Sequence, residues 1–96
     1  MTVRLHWSEL ALDDREEIFS YIEADNPRAA VEMDLRIRDQ IRTLLDFPAA
    51  GRNGRVRGTR EFVIHGSPYI AVYRIENDRV VILRVLHGAR RWPKSL

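Results

Sequence analysis

Apolar and polar side chains alternate over the first residues of the chain, with Val3, Leu5 and Trp7 set against Arg4 and His6. A period of two predicts a half-buried strand over 2–7. At Ser8 the period changes. Ser8 suits a helix N-cap, and Glu9, Asp13 and Asp14 follow near the positive end of the helix dipole. The first helix is expected over 9–25. Its apolar stripe is Ala11, Ile18, Tyr21 and Ile22, and Leu12 and Phe19 form a second, adjoining stripe. Two stripes imply contact on more than one side. Asn26-Pro27 is a stop-and-restart signal, because Asn26 can cap and Pro27 suits a first helical position. A second helix over 27–46 places Ala30, Met33, Ile37, Ile41, Leu44 and Leu45 at spacings of three and four. The short connection makes the two helices an antiparallel hairpin.

Phe47-Pro48 ends that helix, and residues 48–60 form a glycine- and arginine-rich loop, expected to be mobile and cationic. Three strands follow, over 61–65, 69–75 and 79–87. Gly66-Ser67 and Asn77-Asp78 read as tight turns, so neighbouring strands should be antiparallel. Residues 88–96 are a basic tail. Strict alternation sorts the last strand into Val81, Leu83 and Val85 on one face, and Val80, Ile82, Arg84 and Leu86 on the other. Arg4, His6, Arg74 and Arg84 should then share the face away from the helices, among exposed aliphatics, as a binding surface. Tyr69 and Tyr73 should pack under the helices. The expected architecture is α+β and two-layered: a helical hairpin on a mainly antiparallel four-stranded sheet, in the order β-α-α-β-β-β, within a single domain over 1–96.

Charge sharpens this picture. Residues 1–48 carry six Arg against eleven Asp and Glu, a net of −5. Residues 49–96 carry nine Arg and one Lys against three acids, a net of +7. Two oppositely charged surfaces suit two different partners. There is no cysteine, which excludes disulfides and thiolate metal sites. No apolar run has the length of a membrane helix, and the alternating N-terminus is unlike a signal peptide, so no membrane partner and a cytoplasmic location are expected.

The element order and several stretches resemble the RelE/ParE toxin superfamily. The stretches are Ser8 to Ile22, Gly51-Arg52 followed by Gly58-Thr59-Arg60-Glu61, Ser67 to Arg74, and Ile82-Leu83-Arg84-Val85-Leu86-His87-Gly88-Ala89-Arg90. The resemblance implies a bacterial type II toxin, of the kind linked to plasmid stabilisation. A ParD/RelB-like antitoxin would mask it, and operator DNA would be reached only through that antitoxin. It implies no cofactor and no metal. It also implies one of two targets: DNA gyrase for the ParE branch, or ribosome-bound mRNA, cleaved by the RelE branch.

RelE-like nucleases place an arginine two residues before a Val-Tyr pair in the middle strand. Here that residue is Ile70, ahead of Val72-Tyr73, and an aliphatic side chain gives no help to a phosphorane dianion. Such a cation is worth roughly 3–4 kcal/mol. Ile70, Tyr73-Arg74 and Val85-Leu86-His87 instead follow the ParE pattern, which favours gyrase inhibition over endoribonuclease activity. If the chain were a nuclease, His87, Arg60, Arg84 and Arg90 would be its catalytic candidates. The candidate target-binding residues are Arg60, Arg74, Arg84, His87, Arg90, Arg91 and Trp92. The candidate antitoxin-docking residues are Leu12, Ile18, Phe19 and Ile22.

Overall fold

The computed structural model describes residues 3–96; Met1 and Thr2, at the start of the expected first strand, lie outside the described residues. The elements are β1 (Arg4–Trp7), α1 (Glu9–Glu23), α2 (Pro27–Arg42), β2 (Arg52–Asn53), β3 (Arg60–Val63), β4 (Tyr69–Glu76) and β5 (Arg79–His87). A 3-10 turn at Thr43–Leu45 finishes the second helix. Both caps are formed as the sequence suggests. The Ser8 side chain accepts from the Ala11 N–H, and that of Asn26 accepts from the Ala29 N–H, with Pro27 at the start of α2. Each helix ends sooner than expected. α1 gives up two residues so that the chain can reverse before Asn26. At the end of α2 the Thr43 hydroxyl donates to the Gln40 carbonyl, and the backbone tightens.

The two helices pack on a sheet of order β1-β5-β4-β3-β2. β1 runs parallel to β5 and every other pair is antiparallel. The sheet has one strand more than expected, because Arg52 and Asn53 inside the basic loop pair with Glu61 and Arg60. Two residues are too few to leave a periodic signal. The β3–β4 connection is also wider than a two-residue turn. Gln40 grips His65 at both its N–H and its carbonyl (2.7 and 2.8 Å), and Arg36 donates to the Gly66 carbonyl at 2.7 Å. The end of α2 therefore shapes this turn, and β3 stops at Val63.

The core lies between the layers. Ala11, Ile37, Ile41 and Leu44 meet Tyr69, Ala71 and Tyr73 of β4 and Val80, Ile82 and Val85 of β5. Burying each isoleucine contributes about 1.5–3 kcal/mol. Val80, Ile82 and Val85 share a face, which strict alternation forbids. Tyr73 pairs with Ile82 but Val72 pairs with Arg84, so Leu83 is an extra residue in β5. This bulge reverses the parity of the strand and corrects the face assignment made from the sequence. Val85 lies on the helix side as expected, but Val80 and Ile82, expected beside Arg84 on the outer face, lie there too, and Val81 stands opposite Arg74 on the outer face. The outer-face aliphatics are not exposed either: Ile70, Val72 and Val81 are all buried.

Tyr73 ties the loop to this core. Its buried hydroxyl donates to the Pro48 carbonyl (2.7 Å) and accepts from the Gly51 N–H (2.9 Å). Gly51 has no room for a side chain, because a Cβ there would lie 2.7 Å from the tyrosine ring. Tyr73→Phe strands both backbone groups. It should cost about 1–2 kcal/mol in urea unfolding, with backbone amide shifts concentrated over residues 48–52.

Candidate functional site

β1 ends at Trp7, opposite Ile82, while β5 runs on to His87. The start of α1 takes over where β1 stops. The Ser8 N–H and hydroxyl donate to the Ile82 and Leu83 carbonyls (3.0 and 2.9 Å). One turn further, Asp14 accepts from the Val85 N–H (2.9 Å) and from Arg84 Nε and Nη2 (2.8 and 2.9 Å). Asp14 is 8% exposed. Its hydrogen bonds raise the Arg84 pKa, against the opposing effect of burial. Arg84 was expected on an open binding face. The bulge and the missing β1 partner instead bring its guanidinium to the helix, where it closes the α1–β5 contact.

Beyond Val85 the edge of β5 opens into a groove of about 670 Å³. One wall is Glu17, Ile18 and Tyr21 of α1, and the other is the tail from Arg90 to Pro93. Tyr69 and His87 form its inner end with rings edge-to-face at 5.7 Å. Burial pushes the Tyr69 phenol up. The tail is folded back, since Trp92 Nε1 and the Arg90 N–H donate to the His87 carbonyl (3.0 and 3.2 Å). The His87 Nδ1 accepts from the Ala89 N–H, so a neutral ring carries its proton on Nε2. Arg90 lies over the Tyr21 ring at 5.5 Å. The groove thus combines aromatic walls with two arginines, Arg90 and Arg91, that have no carboxylate partner among the described residues. Such a surface can hold a protein hot spot or an anionic segment.

The basic loop is folded against the sheet, in place of the mobile segment expected. Glu61, 4% exposed, accepts from Arg52 Nη2 at 3.1 Å, from the Arg55 N–H at 2.8 Å and from Arg55 Nε at 3.2 Å. Burial is the largest single influence and disfavours its charge. The bonds from the Arg55 backbone, the Arg55 guanidinium and Arg52 together outweigh it and hold the carboxyl below its ordinary value. Arg60 turns inward to the Gly51 carbonyl at 2.7 Å.

The candidate target-binding set is therefore divided. Arg84, His87, Arg90, Arg91 and Trp92 line one groove. Arg60 lies at the opposite side of the sheet, in a second cavity with Arg57 and Ile75. Arg74 is exposed and paired with Glu76. The candidate docking residues also separate: Ile18 packs against the core, Phe19 and Ile22 are half-buried, and Leu12 is 48% exposed. Tyr21, read as part of the core stripe, is 67% exposed beside the groove. Sequence reasoning missed Asp14 and Glu61. Asp14 gives no local signal, because its partners are some 70 residues away. Glu61 gives a weak one, as a lone acid after Arg52, Arg55, Arg57 and Arg60. Among the described residues no helix is long and apolar enough to cross a membrane, and no cluster of His, Asp and Glu could hold a metal ion.

Residues 5–92 match the family model for the ParE toxin of the type II toxin-antitoxin system parDE. Y4kP of Sinorhizobium fredii, assigned as a toxin, is 44% identical over 97% of this chain and 96% of its own length. Toxin RelE2 of Caulobacter vibrioides is 34% identical over 88% of this chain and 93% of its own. Among solved structures, a chain of the chromosomal ParDE toxin–antitoxin system from P. aeruginosa superposes with a TM-score of 0.83 at 25% identity, over 90% of this chain and 96% of that one. A chain of the toxin–antitoxin complex RelBE2 from Mycobacterium tuberculosis shares the fold, with a TM-score of 0.61 at 23% identity over 91% and 99% of the two chains.

Asp14→Ala leaves the mostly buried Arg84 cation and the Val85 N–H without a partner. It should lower unfolding stability by about 3 kcal/mol, and Arg84→Met in the same chain should recover part of that loss. Acidification tests the loop. The pKa of Glu61 is lower folded than unfolded, so its contribution is complete above its ordinary value of 4.5 and is lost as pH falls through the depressed folded value. Amide exchange at Arg55 should accelerate through that window, and the acceleration should be absent in Glu61→Gln.

Proposed function

The chain belongs to the ParE toxin family of type II toxin–antitoxin systems, and from that membership we propose that it arrests growth by binding and poisoning DNA gyrase until a cognate antitoxin neutralises it. The observation that carries this reading is Ile70. It stands where the nuclease branch of the superfamily carries an arginine, and it is 8% exposed, paired with Val63 and Leu86. The position is an apolar site on the outer face of the sheet. Ile70 itself offers no cation to a scissile phosphate, and its side chain is buried from water.

Other groups agree with a binding role. Two of the four nuclease candidates, Arg84 and Arg60, are engaged by Asp14 and by the Gly51 carbonyl. The His87 Nδ1 is occupied by the Ala89 N–H. Arg90 and Arg91, without a carboxylate partner among the described residues, sit instead with Trp92, Tyr21 and Tyr69 at the groove. Arginine with exposed aromatic surface is the usual composition of a protein-binding hot spot. For the antitoxin we propose a segment reaching Leu12, Phe19 and Ile22 on α1. The exposed acids Asp13, Glu16 and Glu17 lie beside them and would favour basic residues in that segment.

The test is direct. Purified protein, released from its antitoxin, is added to gyrase with relaxed plasmid and, in parallel, to ribosomes translating a defined mRNA. Supercoiling should be inhibited and the mRNA left intact. Cleaved mRNA with normal supercoiling would overturn the proposal in favour of the RelE-type activity. Arg90→Ala with Arg91→Ala should weaken inhibition about tenfold with the fold unchanged.

A further inference from the structure

Arg55 occupies an unusual place. Its guanidinium is held on one side by the buried Glu61 carboxylate, through Nε at 3.2 Å and Nη2 at 3.4 Å, and its backbone N–H donates to the same group at 2.8 Å. On the other side the guanidinium carbon lies 3.4 Å from the centre of the Trp92 ring. Trp92 in turn donates its indole N–H to the His87 carbonyl. One buried acid on β3 is thus connected, through a single arginine of the loop, to the aromatic anchor of the tail and to the end of β5. Residues 55 and 92 lie far apart in the basic half of the sequence, yet the side chains of Glu61, Arg55 and Trp92 join their segments. A guanidinium free to move would be a poor platform for an indole. Fixed by two bonds to one carboxylate, with the Arg55 backbone N–H held by the same group, it presents its flat face at a set height and angle.

We infer that Glu61 is a positioning residue for the C-terminal tail: it fixes Arg55, Arg55 seats Trp92, and loop and tail thereby act as one coupled surface that sets the width of the groove at His87. The coupling has a definite direction. An acidic side chain or other anion that draws Arg55 away from Glu61 also removes the platform under Trp92. Arg90 to Pro93 then swing off the β5 edge, and the Val85 carbonyl and His87 N–H, which point out of the sheet without a hydrogen-bond partner among the described residues, are uncovered. Conversely, a partner that grips Trp92 in its seated position favours the folded loop. Binding at either segment is felt at the other because they share one guanidinium. The inference concerns the free chain and holds whichever target the toxin has.

The experiment uses the full chain. The readouts are hydrogen exchange of the Trp92 indole N–H, distinguished from that of Trp7 by its loss in Trp92→Phe, and the rate of tryptic cleavage after Arg90 and Arg91. Arg55→Ala should accelerate both by ~2–5-fold, the range expected for loss of a cation–π seat. Glu61→Gln, which keeps the side chain's shape but not its charge, should do the same although the hydrogen bonds of Glu61 go to Arg52 and Arg55 and not to the tail. Arg55→Lys should restore little, because an ammonium lacks the planar face. Amides of α2 and β4 serve as the control for folding and should keep their protection throughout. The inference is overturned if Glu61→Gln leaves indole exchange and tail cleavage unchanged while Arg55→Ala alters them, which would make the stack independent of the acid. It is equally overturned if neither substitution changes them.

Discussion

The contact between Asp14 and the far end of β5 governs the rest of the molecule. A sheet whose edge strand stops halfway leaves backbone donors and acceptors exposed, and buried groups of that kind cost about 1–3 kcal/mol each. Ser8 and Asp14 supply the missing partners from a helix. In doing so they set the height of α1 over the sheet and place Tyr21 and Ile18 along the same groove as Tyr69. The bulge at Leu83 belongs to the same arrangement. It turns Val85 inward and lets Arg84 reach the carboxylate, and the strand leaves this junction with His87 facing the groove. The open edge, the aromatic end of the groove and the folded tail all follow from where β1 ends.

The uneven charge of the chain is resolved in an unexpected way. Among the described residues Asp14–Arg84 is the only ion pair between the acidic and basic halves. Arg15 pairs with Asp34 inside the hairpin, and Glu61 and Glu76 each hold two arginines inside the basic half. The halves therefore keep their opposite characters: an acidic helical face, and cations at the tail and the tip of the loop. That separation suits a protein that meets two partners, one neutralising and one targeted. It also shows why arginine content alone says little about chemistry, since Arg52, Arg55, Arg60 and Arg84 all have structural duties.

Much of the fold could be read from the chain because local rules decide it. Ser8 and Asn26 cap, Pro27 starts a helix, Asn77 takes the positive φ of 53° that its hairpin needs, and apolar spacing marks α2 and β4. The misreadings arose where a distant group decides. Alternation assigned Val80 and Val85 to opposite faces, and only the Val72/Tyr73 register shift reconciles them. The loop looked mobile because its glycines and arginines are visible in sequence, whereas the Tyr73 hydroxyl and Glu61 carboxylate that order it come from other strands. Of the candidate site, the cluster of His87, Arg90, Arg91 and Trp92 was readable because it is nearly contiguous. Its separation from Arg60 and Arg74 was not, since that depends on strand order.

A toxin that binds and one that cleaves differ in the order of events they cause in a cell. After induction without antitoxin, DNA breaks and the rate of protein synthesis can be followed together over the first minutes. A gyrase poison should raise DNA breakage while protein synthesis continues. A collapse of protein synthesis before any DNA break appears would contradict the account, and would place the chain with the ribosome-dependent nucleases despite Ile70.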